Sequence, residues 1–305
     1  MIAGWFDFDA SSRIVADTLG SRHAEGVAVD SGFAIAVAQE DPQMAHQLDS
    51  RTSASGMRRT GLDSDPVQQA RIELAACFQL AAQHGFEEGV CNHFSAVVPG
   101  HEDLFLVNPY GYAFSEITAS RLLICDFEGN VVVGEGKPEA TAFFIHARLH
   151  RAMPRVQAAF HTHMPNATAL CLIEGPPLLW LGQTALKFYG RVAVDEHYNG
   201  LALDASEGDR IAAAMGDADV LFLKHHGVMV AGATIAEAWD DLYYLERAAE
   251  VQLKAMQTNR SLLPVEPGIA QRTYEAMRAG DKESARAHLD SALRRLRAAG
   301  NPFEE

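Results

Sequence analysis

The chain has 305 residues, 48% apolar and 21% charged, enough to bury a sizeable core in one large domain with an appended segment. Its formal net charge of −15 repels nucleic acid and anionic lipid over long range, which argues against both as partners. No stretch approaches the roughly 18 consecutive apolar residues that span a bilayer.

The N-terminus reads Met1-Ile2-Ala3-Gly4-Trp5-Phe6-Asp7, without a basic segment followed by an apolar one, so no secretory signal is expected and a cytoplasmic location fits. Residues 1–64 hold Ser/Asp/Gly-rich stretches such as 49–56, as a loosely packed or partly disordered arm would, with one strand-like patch at 32–38. Regular structure is predicted from Asp65-Pro66-Val67-Gln68, with Asp65 as cap, Pro66 at the first helical position and Gln68 completing a capping box. That helix runs through Phe78 to a stop at His84-Gly85. Strands are predicted at 92–98, 104–107, 122–126 and 131–133, the last two joined by the turn Glu128-Gly129-Asn130. A helix from Pro138 ends near Pro154, strands cover 156–163 and 192–194, and another helix lies near 206–215. Apolar strands at 220–223 and 227–230 precede the capping box Thr234-Ile235-Ala236-Glu237, which opens a long helix. Two C-terminal helices are split at Ala279-Gly280-Asp281. This irregular alternation, with hairpins among the strands, predicts a mixed or mostly antiparallel sheet covered by helices. No GxGxxG or GxxxxGK[ST] loop offers a phosphate cradle. Cys77, Cys91, Cys125 and Cys171 form no CxxC pair and are read as buried thiols in a reducing compartment; Arg294, Arg295 and Arg297 are read as a solvated helix face.

The histidines carry the chemistry. In Phe160-His161-Thr162-His163-Met164-Pro165, positions i and i+2 of a strand share a face, so His161 and His163 present two imidazoles side by side where Pro165 ends the strand. Imidazole ligates zinc, iron, cobalt, nickel and copper; the competing reading is two partly exposed strand histidines. At Lys224-His225-His226-Gly227 an apolar strand runs into two histidines before the next strand begins. Histidine at such a seam is costly unless it is ligated or hydrogen-bonded, and a hydrogen-bonded core histidine is the alternative. Gly227 implies close backbone approach or a bend. His146 and His150 have the i, i+4 spacing of a metal pair but lack the glutamate of H-E-x-x-H, and are read as facing packing or solvent.

Several further pieces accompany them in order: Asn92-His93-Phe94-Ser95, Val107-Asn108-Pro109-Tyr110-Gly111, Ser115-Glu116-Ile117-Thr118, Pro154-Arg155-Val156, Phe188-Tyr189-Gly190-Arg191 and Tyr243-Tyr244-Leu245-Glu246-Arg247-Ala248. Together they resemble the class II aldolase/adducin N-terminal family in its adducin-like bacterial branch. The resemblance implies an α/β fold, a three-layer α/β/α domain around a central, mostly antiparallel sheet. The domain is placed at 65–260, which leaves 1–64 as an N-terminal extension of unknown role, unexplained by the resemblance, and 261–305 as C-terminal helices packing on the domain. The resemblance also implies a homotetramer acting on a small molecule, with one divalent metal per subunit held by His161, His163 and His226. Zinc is the first expectation, with iron, manganese or cobalt as alternatives. Three neutral nitrogen ligands with open positions suit a catalytic metal acting as a Lewis acid. On the family pattern, Asn92 and the loop residues Asn108, Tyr110 and Gly111 lie on the substrate side.

The chain departs from the sugar-phosphate aldolases of that family. Where those resemble one another in Ser-Ser-Glu, it has Ala140, Thr141 and Ala142, so the catalytic glutamate is missing. Glu139, one turn away, is either its replacement or an ordinary first-turn acid. His225 is either a proton shuttle or structural, since strand alternation would point it away from His226. Tyr198, with His197, is the remaining candidate for a polar group at the site. The expected function is a metal-dependent carbon–carbon lyase, an aldolase or decarboxylase, acting on a small non-phosphorylated hydroxy or keto acid. Alternatives are an iron(II)-dependent oxygenase of aryl keto acids and a non-catalytic adducin-like assembly module.

Overall fold

The computed structural model describes residues 60–305, which lie within one compact unit, Arg59–Glu305. The strand-like patch at 32–38 and nearly all of the expected N-terminal extension lie outside the described residues. The first helix, α1 (Asp65–His84), carries Pro66 in its first turn as expected, but its cap is Ser64 and no side chain closes it. The predicted Asp65 and Gln68 capping box is therefore one residue out of register. The helix ends on Gly85, whose φ of 69° is the left-handed conformation that glycine adopts without strain.

Four short strands follow: β1 (His93–Val98), β2 (His101–Val107), β3 (Leu123–Asp126) and β4 (Val131–Val133). Then come α2 (Ala140–Ala152), β5 (Ala158–Thr162), α3 (Pro165–Cys171), α4 (Gln183–Leu186), β6 (Val192–Asp195), α5 (Ala205–Met215), β7 (Val220–Leu223) and β8 (Gly227–Gly232). The described chain closes with α6 (Ile235–Met256), α7 (Pro267–Arg278) and α8 (Asp281–Ala298). The strands form one eight-stranded sheet in the order β4-β3-β2-β1-β5-β8-β7-β6. Every neighbouring pair is antiparallel except β6 and β7.

The layers follow from residue alternation along the strands. Phe94, Leu106, Phe160, Phe222 and Val230 point into a core shared with α1, α6 and α8. Their neighbours Ala159, Leu221, Met229 and Ala231 point the other way, onto Ile145 and Leu149 of α2 and Ile211 and Met215 of α5. The protein is thus a mixed sheet between two helical layers. By the same alternation His93, Ser95 and His161 belong to the face that α2 covers.

The C-terminal residues are tied to this body. The backbone N–H groups of Ala119 and Ser120 donate to Phe303 O (2.9 Å) and Glu305 O (2.8 Å), and Asn301 Nδ2 donates to Gln79 Oε1 at 3.0 Å. A buried ion cluster links α4, α6 and α8. Lys187 Nζ reaches Asp240, Asp241 and Asp281 at 3.0, 3.0 and 2.9 Å, and Arg191 reaches Asp219 and Asp241 at 2.7 and 2.6 Å. Cys77, Cys125 and Cys171 are buried as expected; Cys91 is exposed, because it sits in the loop before β1 and not in an element. Arg294, Arg295 and Arg297 lie on the exposed side of α8. Among the described residues no helix is long and apolar enough to cross a membrane.

Candidate metal centre

His161 is the penultimate residue of β5, and His163 follows the strand's end. Pro165 then starts α3, whose N-terminus is capped from α6: the Glu246 carboxylate accepts from Asn166 N, Asn166 Nδ2 and Ala167 N at 2.9, 2.7 and 2.8 Å. This cap pins the turn that carries His163, and it gives a physical reason for the Tyr243–Ala248 segment noted in the sequence. His226 enters from the turn between β7 and β8, where its N–H donates to Leu223 O at 3.1 Å. Gly227 is required there by contact. A Cβ on it would stand 2.6 Å from Thr162 O and 2.7 Å from His163 Cδ2. Close approach, and not a bend, is what the glycine supplies.

The three rings converge. Their centroids are 4.7 Å (His161–His226), 4.9 Å (His163–His226) and 5.1 Å (His161–His163) apart. One nitrogen from each lies within 4.8 Å of the others, and among the described residues no carboxylate or thiol joins this group. Each strand-end histidine is held by its other nitrogen. His161 Nδ1 donates to Val228 O at 2.9 Å, since a carbonyl can only accept, which leaves Nε2 with its lone pair. His163 Nδ1 meets Glu88 Oε2 at 2.5 Å. His163 Nε2 is then buried with no partner at all. An orphaned buried nitrogen is costly unless something fills the gap, and a cation between three imidazole lone pairs would do so. The protonation states agree. Burial, reinforced by His226 and other neighbouring histidines, holds His161 well below the usual histidine range, and burial together with His163 lowers His226 to about 4. Both rings are neutral at pH 7 and able to ligate. The donor set fits a divalent metal.

The remaining predicted residues divide. Asn92 and Asn108 are buried and joined, Asn108 Nδ2 donating to Asn92 O at 3.3 Å. Asn92 Oδ1 accepts from Glu88 N at 2.7 Å and so shapes the loop that brings Glu88 to His163. Asn92 Nδ2 and Asn108 Oδ1 are both buried without partners. Tyr110 is exposed on the following loop, and Gly111 there has φ 90°. Tyr198 is exposed, its ring 6.4 Å from those of both His225 and His226. His225 does not obey strand alternation, because it lies in the turn, in the left-handed region (φ 61°), and is exposed. His197 is exposed, its N–H donating to Asp195 Oδ1 at 3.1 Å. Glu139 is occupied as the N-cap of α2: Oε2 accepts from Ala142 N at 2.8 Å and from Thr141 Oγ1. Its carboxylate thus takes the first-turn role. His146 and His150 face packing and are fully enclosed. Glu88 was not among the sequence candidates, since no spacing rule connects it to a histidine 75 positions away.

Comparison with known proteins agrees with the fold. The Class II Aldolase and Adducin N-terminal domain profile matches residues 72–253. A Caulobacter vibrioides protein named only as an aldolase class 2 protein is 38% identical over 219 residues, covering 70% of this chain and 83% of its own. The crystal structure of an aldolase II superfamily protein from Pseudomonas syringae superposes with a TM-score of 0.75 at 32% identity, over 79% of this chain and 97% of its own. Two Streptomyces proteins are each 34% identical over 179 residues, 57% of this chain. They are decarboxylase NovR of Streptomyces niveus (65% of its length) and the 4-hydroxy-3-prenylphenylpyruvate oxygenase/4-hydroxy-3-prenylbenzoate synthase of Streptomyces roseochromogenus (63% of its length). The chain belongs to the class II aldolase and adducin N-terminal domain family.

Proposed function

We propose that His161, His163 and His226 hold one divalent metal, zinc in the first instance, and that the protein is a carbon–carbon lyase for a small, non-phosphorylated hydroxy or keto acid. The observation that carries this reading is the buried, partnerless Nε2 of His163 facing two other imidazole nitrogens. A metal bound there supplies Lewis-acid stabilisation of negative charge on a substrate oxygen. The chain's own residues do the rest. Asn92 Nδ2 and Asn108 Oδ1, a donor and an acceptor left open in a buried wall, bind polar groups of the substrate and orient it. Tyr110 and Gly111 close the loop side, and the phenol of Tyr198 and the imidazole of His225 are the groups at the mouth able to move a proton.

Two features favour lysis without a phosphosugar. Ala142 stands where the sugar-phosphate aldolases have their glutamate, and Glu139 is engaged as a helix cap. Decarboxylation makes the least demand on a protein proton carrier, and one Streptomyces relative is named a decarboxylase. The oxygenase reading has equal support in sequence likeness from the other. A homo-oligomer in the cytoplasm is the working form we propose. The test is reconstitution with Zn, Mn, Co or Fe(II) in turn, followed by assay against aliphatic and aryl 2-hydroxy and 2-keto acids with oxygen uptake recorded. Metal-dependent lysis without oxygen consumption is the expected result. Uptake with Fe(II) alone would replace the lyase with the oxygenase, and no turnover with any metal would remove both.

A further inference from the structure

A second set of histidines lies beside the metal centre, between β1 and α2. His93 and Ser95 sit i and i+2 on β1, and His146 and His150 sit i and i+4 on α2. All four are buried, none more than 4% exposed. They form an unbroken run of hydrogen bonds. His150 Nδ1 meets Val156 O at 2.9 Å, and His150 Nε2 meets Ser95 Oγ at 2.7 Å. Ser95 Oγ meets His146 Nδ1 at 2.5 Å, and His146 Nε2 meets His93 Nδ1 at 2.7 Å.

The run has only one direction. Val156 O cannot donate, so His150 Nδ1 carries the proton. Burial lowers His150 to about 4, and His146 and His93 are buried with only each other and Ser95 as hydrogen-bond partners, no carboxylate being there to hold a charge on either, so all three rings are neutral. His150 Nε2 is therefore an acceptor and takes the single hydroxyl proton of Ser95. Ser95 Oγ then receives from His146 Nδ1–H, which leaves His146 Nε2 to accept from His93 Nδ1–H. The far end is His93 Nε2, with a lone pair. His93 is the cross-strand partner of His161, and the two rings lie 4.9 Å apart. It does not belong to the group of mutually close ligand nitrogens, so it is a neighbour of the ligands and not a fourth one.

We propose that this chain fixes His93 Nε2 as a hydrogen-bond acceptor in the wall of the metal centre, where it selects ligands that present a hydroxyl over those that present only carboxylate oxygens. A hydroxyl donates to that lone pair; a carboxylate oxygen meets it lone pair to lone pair. Ser95, His146 and His150 are positioning residues, acting through the tautomer of His93. The choice of ligand rests on the metal-site reading above, whereas the direction of the chain does not.

The test is histidine-selective ¹⁵N NMR of the full-length protein, with and without zinc. The expected spectrum has His93, His146 and His150 all as Nδ1–H tautomers. Nε2–H at His93 in the metal-free protein overturns the proposal, and this arm stands even if zinc does not bind and the metal reading fails. Ser95→Ala removes the acceptor for His146 Nδ1–H, so His146 and then His93 are expected to switch to Nε2–H. With zinc bound, lactate and propionate differ by one hydroxyl. The lactate preference should fall about fivefold in Ser95→Ala, the effect of one net hydrogen bond, while propionate binding holds. A preference unchanged in a variant whose tautomers have switched overturns the selection. The wild-type spectrum needs no variant, so a Ser95→Ala protein that fails to fold leaves the first arm decisive.

Discussion

Among the described residues, the buried cluster around Lys187 and Arg191 and the converging histidines differ in completeness. At Lys187 and Arg191 every formal charge meets an opposite one, with Asp219, Asp240, Asp241 and Asp281 all within 3.0 Å of a cation. At His161, His163 and His226 the converging nitrogens have only one another, and His163 Nε2 has no partner. A closed cluster can serve the fold without further help. An open one holds its rings in place from behind, through Val228 O and Glu88, and leaves its front for something the chain does not supply.

The largest effect that could break this contrast concerns metal affinity. His226→Ala should weaken zinc binding by more than about 100-fold, beyond the 10–100-fold typical of an outer partner, while the thermal midpoint of the metal-free protein stays close to wild type. A wild-type affinity would mean that the open cluster is not a ligand set. Arg191→Ala should do the opposite. Removing one member of a closed buried ion pair costs about 3–5 kcal/mol, read as a lower urea midpoint, with zinc binding per folded molecule unchanged.

Acid should destabilise the metal-free protein through its buried histidines. His150 titrates near 6.5 when exposed and near 4 when folded, so between those values the unfolded chain holds more protons. Stability therefore rises with pH from 4 to 6.5 and, on this group's account, is flat above. The full contribution is about 3 kcal/mol. Urea titrations across that window check it, and His150→Gln should flatten the slope. Gly227→Ala should cost about 1–3 kcal/mol, the range for overpacking, and weaken zinc as well, because the added methyl presses on His163. The smallest effect is Glu88→Gln, about tenfold in zinc affinity with no loss of stability, since Glu88 is exposed and acts only through His163.

What was legible in the sequence followed from short-range pattern. Alternation placed the strands, and the H-x-H and His-Gly pieces pointed to three imidazoles that do converge, because each piece is fixed by its own local backbone. The Thr234 cap was legible too, its hydroxyl accepting from Glu237 N at 3.1 Å. Where the reading slipped, a neighbour decided. Ser64 displaced Asp65 as the N-cap of α1, and the tight turn at 224–226 took His225 out of strand geometry. Glu88, Glu246 and the His93–His150 chain could not be seen, because each joins elements far apart in sequence. His93 and Ser95 already stood two apart and His146 and His150 four apart. Only the packing of α2 on β1 revealed that the two pairs meet.

The most direct measurement is the metal content of the full chain purified without chelators, set beside the same protein carrying His163→Ala. The account predicts one divalent ion per wild-type chain and close to none in the variant. A metal-free wild type that also fails to take up zinc on titration, or a variant that keeps its ion, would contradict it.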